Sequence, residues 1–135
     1  MRPSIDEYLM GIAEAASTRS TCPRANVGAV LARDGKILAT GYNGSISGLE
    51  HCCDVGCQML DGRCIRTIHA EVNAILQASQ DLKGATIYCT HKPCLNCTKL
   101  ILQAGIYRIV YKNFYDSGDF ADLIIKQKGV VIEQL

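Results

Sequence analysis

The sequence predicts an α/β fold of three layers, αβα, built on a five-stranded mixed sheet with helices on both faces. Three observations carry that prediction. Two apolar runs, Val27-Gly28-Ala29-Val30-Leu31 and Ile37-Leu38-Ala39, flank Asp34-Gly35, a pair that favours a tight hairpin between antiparallel strands. Further along, strand-like and helix-like segments alternate, and Gly105 and Gly129 close the helical ones. A strand that feeds a helix and then another strand takes a right-handed crossover, which makes those strands parallel.

Taken in order, Ser4 and Glu7 form a capping box, and Ile5, Leu9, Ile12 and Ala16 recur at helical spacing, so a first helix is expected to end near Ser17 to Ser20. The hairpin follows. A polar segment rich in Gly and Cys then runs from about Asn43 to Thr67, too long for a passive connection. Ala70 to Leu76 reads as a helix opened by His69, with Val72, Ile75 and Leu76 on one face. Ala85 to Cys89 is expected as a strand feeding a helix that begins at Cys94 and runs to about Ala104. Tyr107 to Tyr111 is the next strand, Asp119 to Lys128 the last helix, and Val130-Val131-Ile132 the final strand.

The chemistry is concentrated in His69-Ala70-Glu71 and Pro93-Cys94-Leu95-Asn96-Cys97. Zinc favours nitrogen and thiolate donors, and a catalytic site uses three protein ligands so that water takes the fourth position. His69, Cys94 and Cys97 supply three. Two thiolates leave the metal less acidic than an all-histidine site, so a nearby base is needed, and Glu71 lies two residues from His69. Both helices would point their N-termini at the metal, which favours the thiolate form of the cysteines. Taken alone, C-x-x-C also suits a structural zinc knuckle or a redox pair, and His69 could simply cap a helix. A closed structural site has no use for Glu71, and a redox pair leaves His-x-Glu unexplained. The combined H-x-E…P-C-x-x-C pattern is the recognised signature of zinc deaminases acting on nucleobases.

Composition is consistent with one compact enzyme domain over residues 1–135: 48% hydrophobic and 20% charged residues suit a core that needs no covalent staples. Eight cysteines therefore read as metal ligands rather than disulfides. A net charge of +1 and no basic run argue against extended nucleic-acid binding and for a small substrate. No long apolar stretch or signal-peptide core is present, so no membrane partner is expected and a cytoplasmic location is, in the host if the protein is viral. Cys22, Cys52, Cys57 and Cys64 could close a tetrahedral structural zinc site tying the long loop to the segment after the first helix. His51 or Cys53 could replace one of them. Cys89 reads as a buried free thiol.

The chain resembles the deoxycytidylate (dCMP) deaminase family, within the cytidine deaminase-like superfamily. The resemblance spans nearly its whole length: Ser20-Thr21-Cys22, Val27-Gly28-Ala29-Val30, Thr40-Gly41-Tyr42-Asn43-Gly44, His51-Cys52, the run from Cys64 to Ile75, Pro93 to Cys97 and Tyr107 to Tyr111. The two metal motifs identify the superfamily, while Gly41-Tyr42-Asn43-Gly44 and Asn73 point within it. The resemblance implies a cytidine deaminase-like fold, hydrolysis of dCMP to dUMP, and a homohexamer activated by dCTP with Mg2+ and inhibited by dTTP. It implies that Asn43 contacts the sugar and that Gly41, Tyr42, Asn43 and Gly44 lie near an effector site. It often brings a second zinc near Cys22 and Cys52.

For the 5′-phosphate, Asn73 could donate from the catalytic helix and Arg24 could supply charge; Asn73 could instead brace the neighbouring loop, and Arg24 could be solvated. Where some relatives carry a basic residue further along that helix, this chain has Ala78-Ser79-Gln80. Tyr115 could close over the substrate or simply pack. Two other functions fit the catalytic pieces: deamination of tRNA adenosine or another polynucleotide base, and a zinc-stabilised nucleotide sensor without turnover. The first would call for a basic, aromatic surface, against 6% aromatics and no Trp here; the second would not need Glu71.

Overall fold

The computed structural model describes residues 1–135. Helix α1 (Ile5–Ser17) begins at the expected capping box: the Glu7 amide donates to Ser4 Oγ at 3.1 Å and the Ser4 amide to Glu7 Oε1 at 2.9 Å. Strands β1 (Gly28–Arg33) and β2 (Lys36–Tyr42) form the antiparallel hairpin. Its turn places Asp34 and Gly35 at φ of 55° and 75°, the left-handed geometry that matches strand twist. The long segment contains β3 (Gly44–Ser45), α2 (Cys52–Val55), β4 (Met59–Leu60), β5 (Arg63–Cys64) and β6 (Thr67–Ile68). After it come α3 (Ala70–Gln77), β7 (Thr86–His91), α4 (Leu95–Gln103), β8 (Arg108–Asn113), α5 (Asp119–Lys128) and β9 (Val131–Gln134).

The five long strands form one sheet in the order β2-β1-β7-β8-β9. Pairing is antiparallel from β2 to β7 and parallel from β7 to β9. On one face α1 packs Leu9, Met10 and Ala13 against Val30, Ala32, Tyr88 and Val110. The opposite face carries α3, α4 and α5, whose Ala70, Ala74, Ile101, Leu102 and Ile125 meet Leu31, Ile87, Cys89 and Ile109. This is the three-layer mixed sheet expected from the sequence. No helix is long and apolar enough to cross a membrane.

The buried faces of two helices differ from expectation. In α1 the buried stripe is Leu9, Met10 and Ala13, while Ile5 is exposed and Ile12 and Ala16 are half-buried. In α3, Leu76 is 71% exposed, Val72 and Ile75 are half-buried, and the buried residues are Ala70, Glu71 and Ala74. The cause is close approach. A Cβ on Gly41 would overlap the Ala70 carbonyl and the Ala74 amide, so β2 lies directly on the α3 backbone and only small residues fit between. Gly28 does the same against Ala13 of α1.

One polar network ties α1 to the sheet. Arg108 grips Asp6 through both guanidinium nitrogens at 3.0 and 2.8 Å, Tyr88 Oη donates to the same carboxylate at 2.7 Å, and Arg108 Nε reaches Glu133 at 2.8 Å. Hydrogen bonding from Arg108 holds the Asp6 carboxyl below its usual range.

Candidate metal centre and active site

His69 is the N-cap of α3 and Cys94 the N-cap of α4, and neither side chain bonds to its own helix. Both are free to face outward from helix starts that turn toward each other. His69 Nδ1 lies 3.2 Å from Cys97 Sγ and 3.5 Å from Cys94 Sγ. With ordinary zinc–sulfur and zinc–nitrogen bond lengths, a tetrahedral site has an S···N edge of about 3.5 Å. The three donors therefore fit zinc, and they number three rather than four. The Cys94 thiol is lowered to about 4, first by the hydrogen bond from Cys97 and then by His69, while Cys94 and burial push Cys97 upward. The thiolate form is thus favoured at Cys94, chiefly through its side-chain neighbours with a smaller contribution from the Cys97 amide at the helix start, and not at Cys97, whereas the sequence argument applied to both.

Glu71, one residue into the same helix, is only 5% exposed. Burial raises its carboxyl above the usual range, opposed by its own backbone amide and by the charge of nearby His69. The acid therefore lies against the metal donors without belonging to their set. Beside Cys94 opens a cleft of about 260 Å³ lined also by Arg63, Leu95, Asn96, Tyr115, Asp116 and Ser117. Ser117 Oγ donates to the Pro93 carbonyl at 2.5 Å, tying the loop after β8 to the turn that carries the cysteines.

The remaining expected residues fall into distinct places. Asn43 is buried, accepting from the Val27 amide at 2.9 Å and donating to the Ala25 carbonyl at 2.7 Å, which leaves it one amide hydrogen. Asn73 spends its amide hydrogens on the carbonyls of Tyr42 at 2.9 Å and Ile68 at 3.5 Å, so its side chain braces the Gly41–Gly44 turn and has no donor left for a phosphate. Of the two roles considered for Asn73 from sequence, these bonds correspond to the brace. Gly41 is explained by packing on α3, while Gly44 starts β3. Tyr42 lies beneath the Arg19 guanidinium, 5.9 Å from ring centroid to Cζ. Arg24 is exposed in the loop before β1, and Tyr115 is 49% exposed at the cleft.

Cys22, Cys52, Cys57 and Cys64 converge as a second group with all four sulfurs within 4.8 Å of one another. Cys52 and Cys64 are 3.5 Å apart and Cys22 and Cys57 3.8 Å, against about 3.8 Å for the S···S edge of a tetrahedral zinc site. His51 and Cys53 lie outside the group, and Cys53 is exposed. Cys89 is a fully buried thiol in β7. Sequence reasoning missed Arg63, Asn96 and Ser117 as lining residues. The available signal was Asp61-Gly62, a second Asp-Gly pair with φ of 51° and 79°, which turns β4 into β5 and presents Arg63.

The family model for the cytidine and deoxycytidylate deaminase zinc-binding region matches residues 3–113. ComE operon protein 2 of Bacillus subtilis is 48% identical over 137 residues, covering 99% of this chain and 72% of its own. Deoxycytidylate deaminase of Saccharomyces cerevisiae is 39% identical over 142 residues, covering 99% of this chain; the chain spans 46% of the yeast protein's length. Among solved structures, the dCMP deaminase of cyanophage S-TIM5 in complex with dCMP and dUMP superposes with a TM-score of 0.85 at 36% identity, covering 100% of this chain and 99% of that one.

Proposed function

The chain belongs to the cytidine and deoxycytidylate deaminase family of zinc-dependent enzymes, and from that premise we propose that it hydrolyses dCMP to dUMP and ammonia. The single observation that carries the reading is the buried Glu71 carboxyl against a metal site with three donors, at the edge of an open cleft. His69, Cys94 and Cys97 would hold the zinc, which would supply the Lewis acidity that makes water nucleophilic near neutral pH. Glu71 takes a proton from the attacking water and gives it to the ring nitrogen of cytosine. It then takes the second proton from the hydroxyl added at the amino-bearing carbon and passes it to the amino nitrogen, as the C–N bond breaks and the C=O bond forms, so that water is consumed and ammonia leaves. A carboxyl raised by burial suits both duties near neutrality. Asn43, at the end of β2 with one amide hydrogen unspent, contacts the sugar; Tyr115 lies over the substrate from the loop after β8, and Arg24 adds charge from the loop before β1.

The finer parts of the reading follow the family. The four-cysteine group holds a second, structural zinc. The chain assembles as a homohexamer in the cytoplasm, and its Gly41–Gly44 turn receives dCTP with Mg2+ as activator and dTTP as inhibitor. Incubation with dCMP, CMP, deoxycytidine and a tRNA substrate, with and without dCTP, tests these points by ammonia release. Turnover of dCMP enhanced by dCTP supports the reading. Activity confined to RNA would replace it with polynucleotide deamination, and none on any substrate would replace it with a nucleotide sensor.

A further inference from the structure

Arg63 is the only basic side chain lining the cleft beside Cys94, and it takes part in none of the chain's ion pairs. An unpaired arginine on a loose loop would be an ordinary solvated charge. This one is held. Its backbone pairs with Leu60 across the β4–β5 hairpin, the left-handed Asp61-Gly62 turn precedes it, and the Ile65 amide donates to the Gln58 carbonyl at 2.7 Å just beyond. The next residue, Cys64, has its sulfur 3.5 Å from Cys52 in the four-cysteine group.

We propose that Arg63 is a specificity-determining residue that binds the 5′-phosphate of the nucleotide substrate, and that the four-cysteine group positions it through Cys64. The proposal rests on the deaminase reading above. A planar guanidinium with five donors matches a phosphate bidentately. Asp116, which accepts from the Gly118 amide at 3.0 Å, is the one acidic side chain lining the same cleft, and an anionic group there would be steered away from it and toward Arg63. Asn73, the donor considered from sequence, is spent on backbone carbonyls, the helix segment Ala78-Ser79-Gln80 carries no cation, and Arg24 is exposed on the loop before β1 and does not line this cleft, which leaves Arg63 as the cation inside it. Fixing the arginine's backbone before the substrate arrives reduces the ordering cost of binding.

The test compares wild type, Arg63→Gln and Arg63→Lys, with dCMP and deoxycytidine as substrates and dUMP binding followed by calorimetry. Arg63→Gln should raise the KM for dCMP and the Kd for dUMP about tenfold to a hundredfold, the range for one charge-assisted contact. It should change kcat for dCMP much less than KM and lower the preference for dCMP over deoxycytidine by about the same tenfold to hundredfold, because the lost contact is to the phosphate. Arg63→Lys should recover part of the loss. Unchanged KM and Kd in Arg63→Gln would overturn the assignment, as would equal use of deoxycytidine and dCMP by wild type. Wild type inert toward dCMP would instead overturn the deaminase reading and this proposal with it. For the tether, Cys64→Ser should raise the dUMP Kd in wild type but add nothing to Arg63→Gln; additive losses would show that the cysteine group acts independently.

Discussion

Glu71 is a carboxyl that folding places where its charged form is least welcome. Burial raises its pKa above the unfolded value, so the folded chain binds that proton more tightly, and the resulting stability is present at low pH and lost as pH rises through the folded value. In the metal-free protein, Glu71→Gln should therefore raise the melting temperature at pH 8, and the gain should shrink by pH 5. Melting curves in chelator at the two pH values check this, and a gain that is equal or larger at pH 5 would contradict it. His69, Glu71, Cys94 and Cys97 were legible in the sequence because each pair lies within three residues at a helix start, so local geometry brings each pair together and the fold has only to bring the two helix starts face to face. Arg63 was not, since its place depends on how a long loop folds. The bracing partners of Asn73 were out of reach for a related reason: the Tyr42 and Ile68 carbonyls become neighbours only when β2 and β6 are in position.

Helix and strand positions followed the pattern of apolar residues and glycine stops closely, with α5 matching Asp119–Lys128. Their buried faces did not, because hydrophobic periodicity ranks large side chains and these helices sit on glycines. Gly41→Ala tests the contact between β2 and α3. The added methyl meets backbone at Ala70 and Ala74, and overpacking of this kind costs about 1–3 kcal/mol, readable as a shifted denaturant midpoint. A neutral Gly41→Ala would mean the two elements can separate freely. The Asp6–Arg108 pair belongs to the same scale, as it fastens α1 to β8. Asp6 is held below its ordinary value by Arg108, so its stabilisation is full above the unfolded carboxyl range and is lost as pH falls through the folded value. Asp6→Asn should cost about 1.5–3 kcal/mol at pH 7, the range for hydrogen bonds to a charged group, and the difference should close as the pH falls below about 4. Paired urea titrations at pH 7 and pH 3 measure both.

Across the whole molecule, the mixed sheet explains where the chemistry lies. Parallel pairing aligns β7 with β8, so the cysteine turn after β7 and the Tyr115–Ser117 loop after β8 emerge on the same edge, the carboxyl end where α/β sheets hold their ligands. The long segment between β2 and α3 then folds back over that edge, anchored by the four cysteines. Metal analysis should find about two zinc ions per chain, and Cys52→Ser should leave about one. A count near one in wild type would remove the structural site while leaving the catalytic one. The central claim concerns the other site, and one comparison addresses it most directly: dUMP and ammonia formed from dCMP by wild type and by Glu71→Gln at matched zinc content. The account predicts equal zinc in both proteins and a rate lower by about a hundredfold to ten-thousandfold in the variant, the usual worth of a general acid–base. A zinc-replete Glu71→Gln protein that works at near the wild-type rate would contradict it.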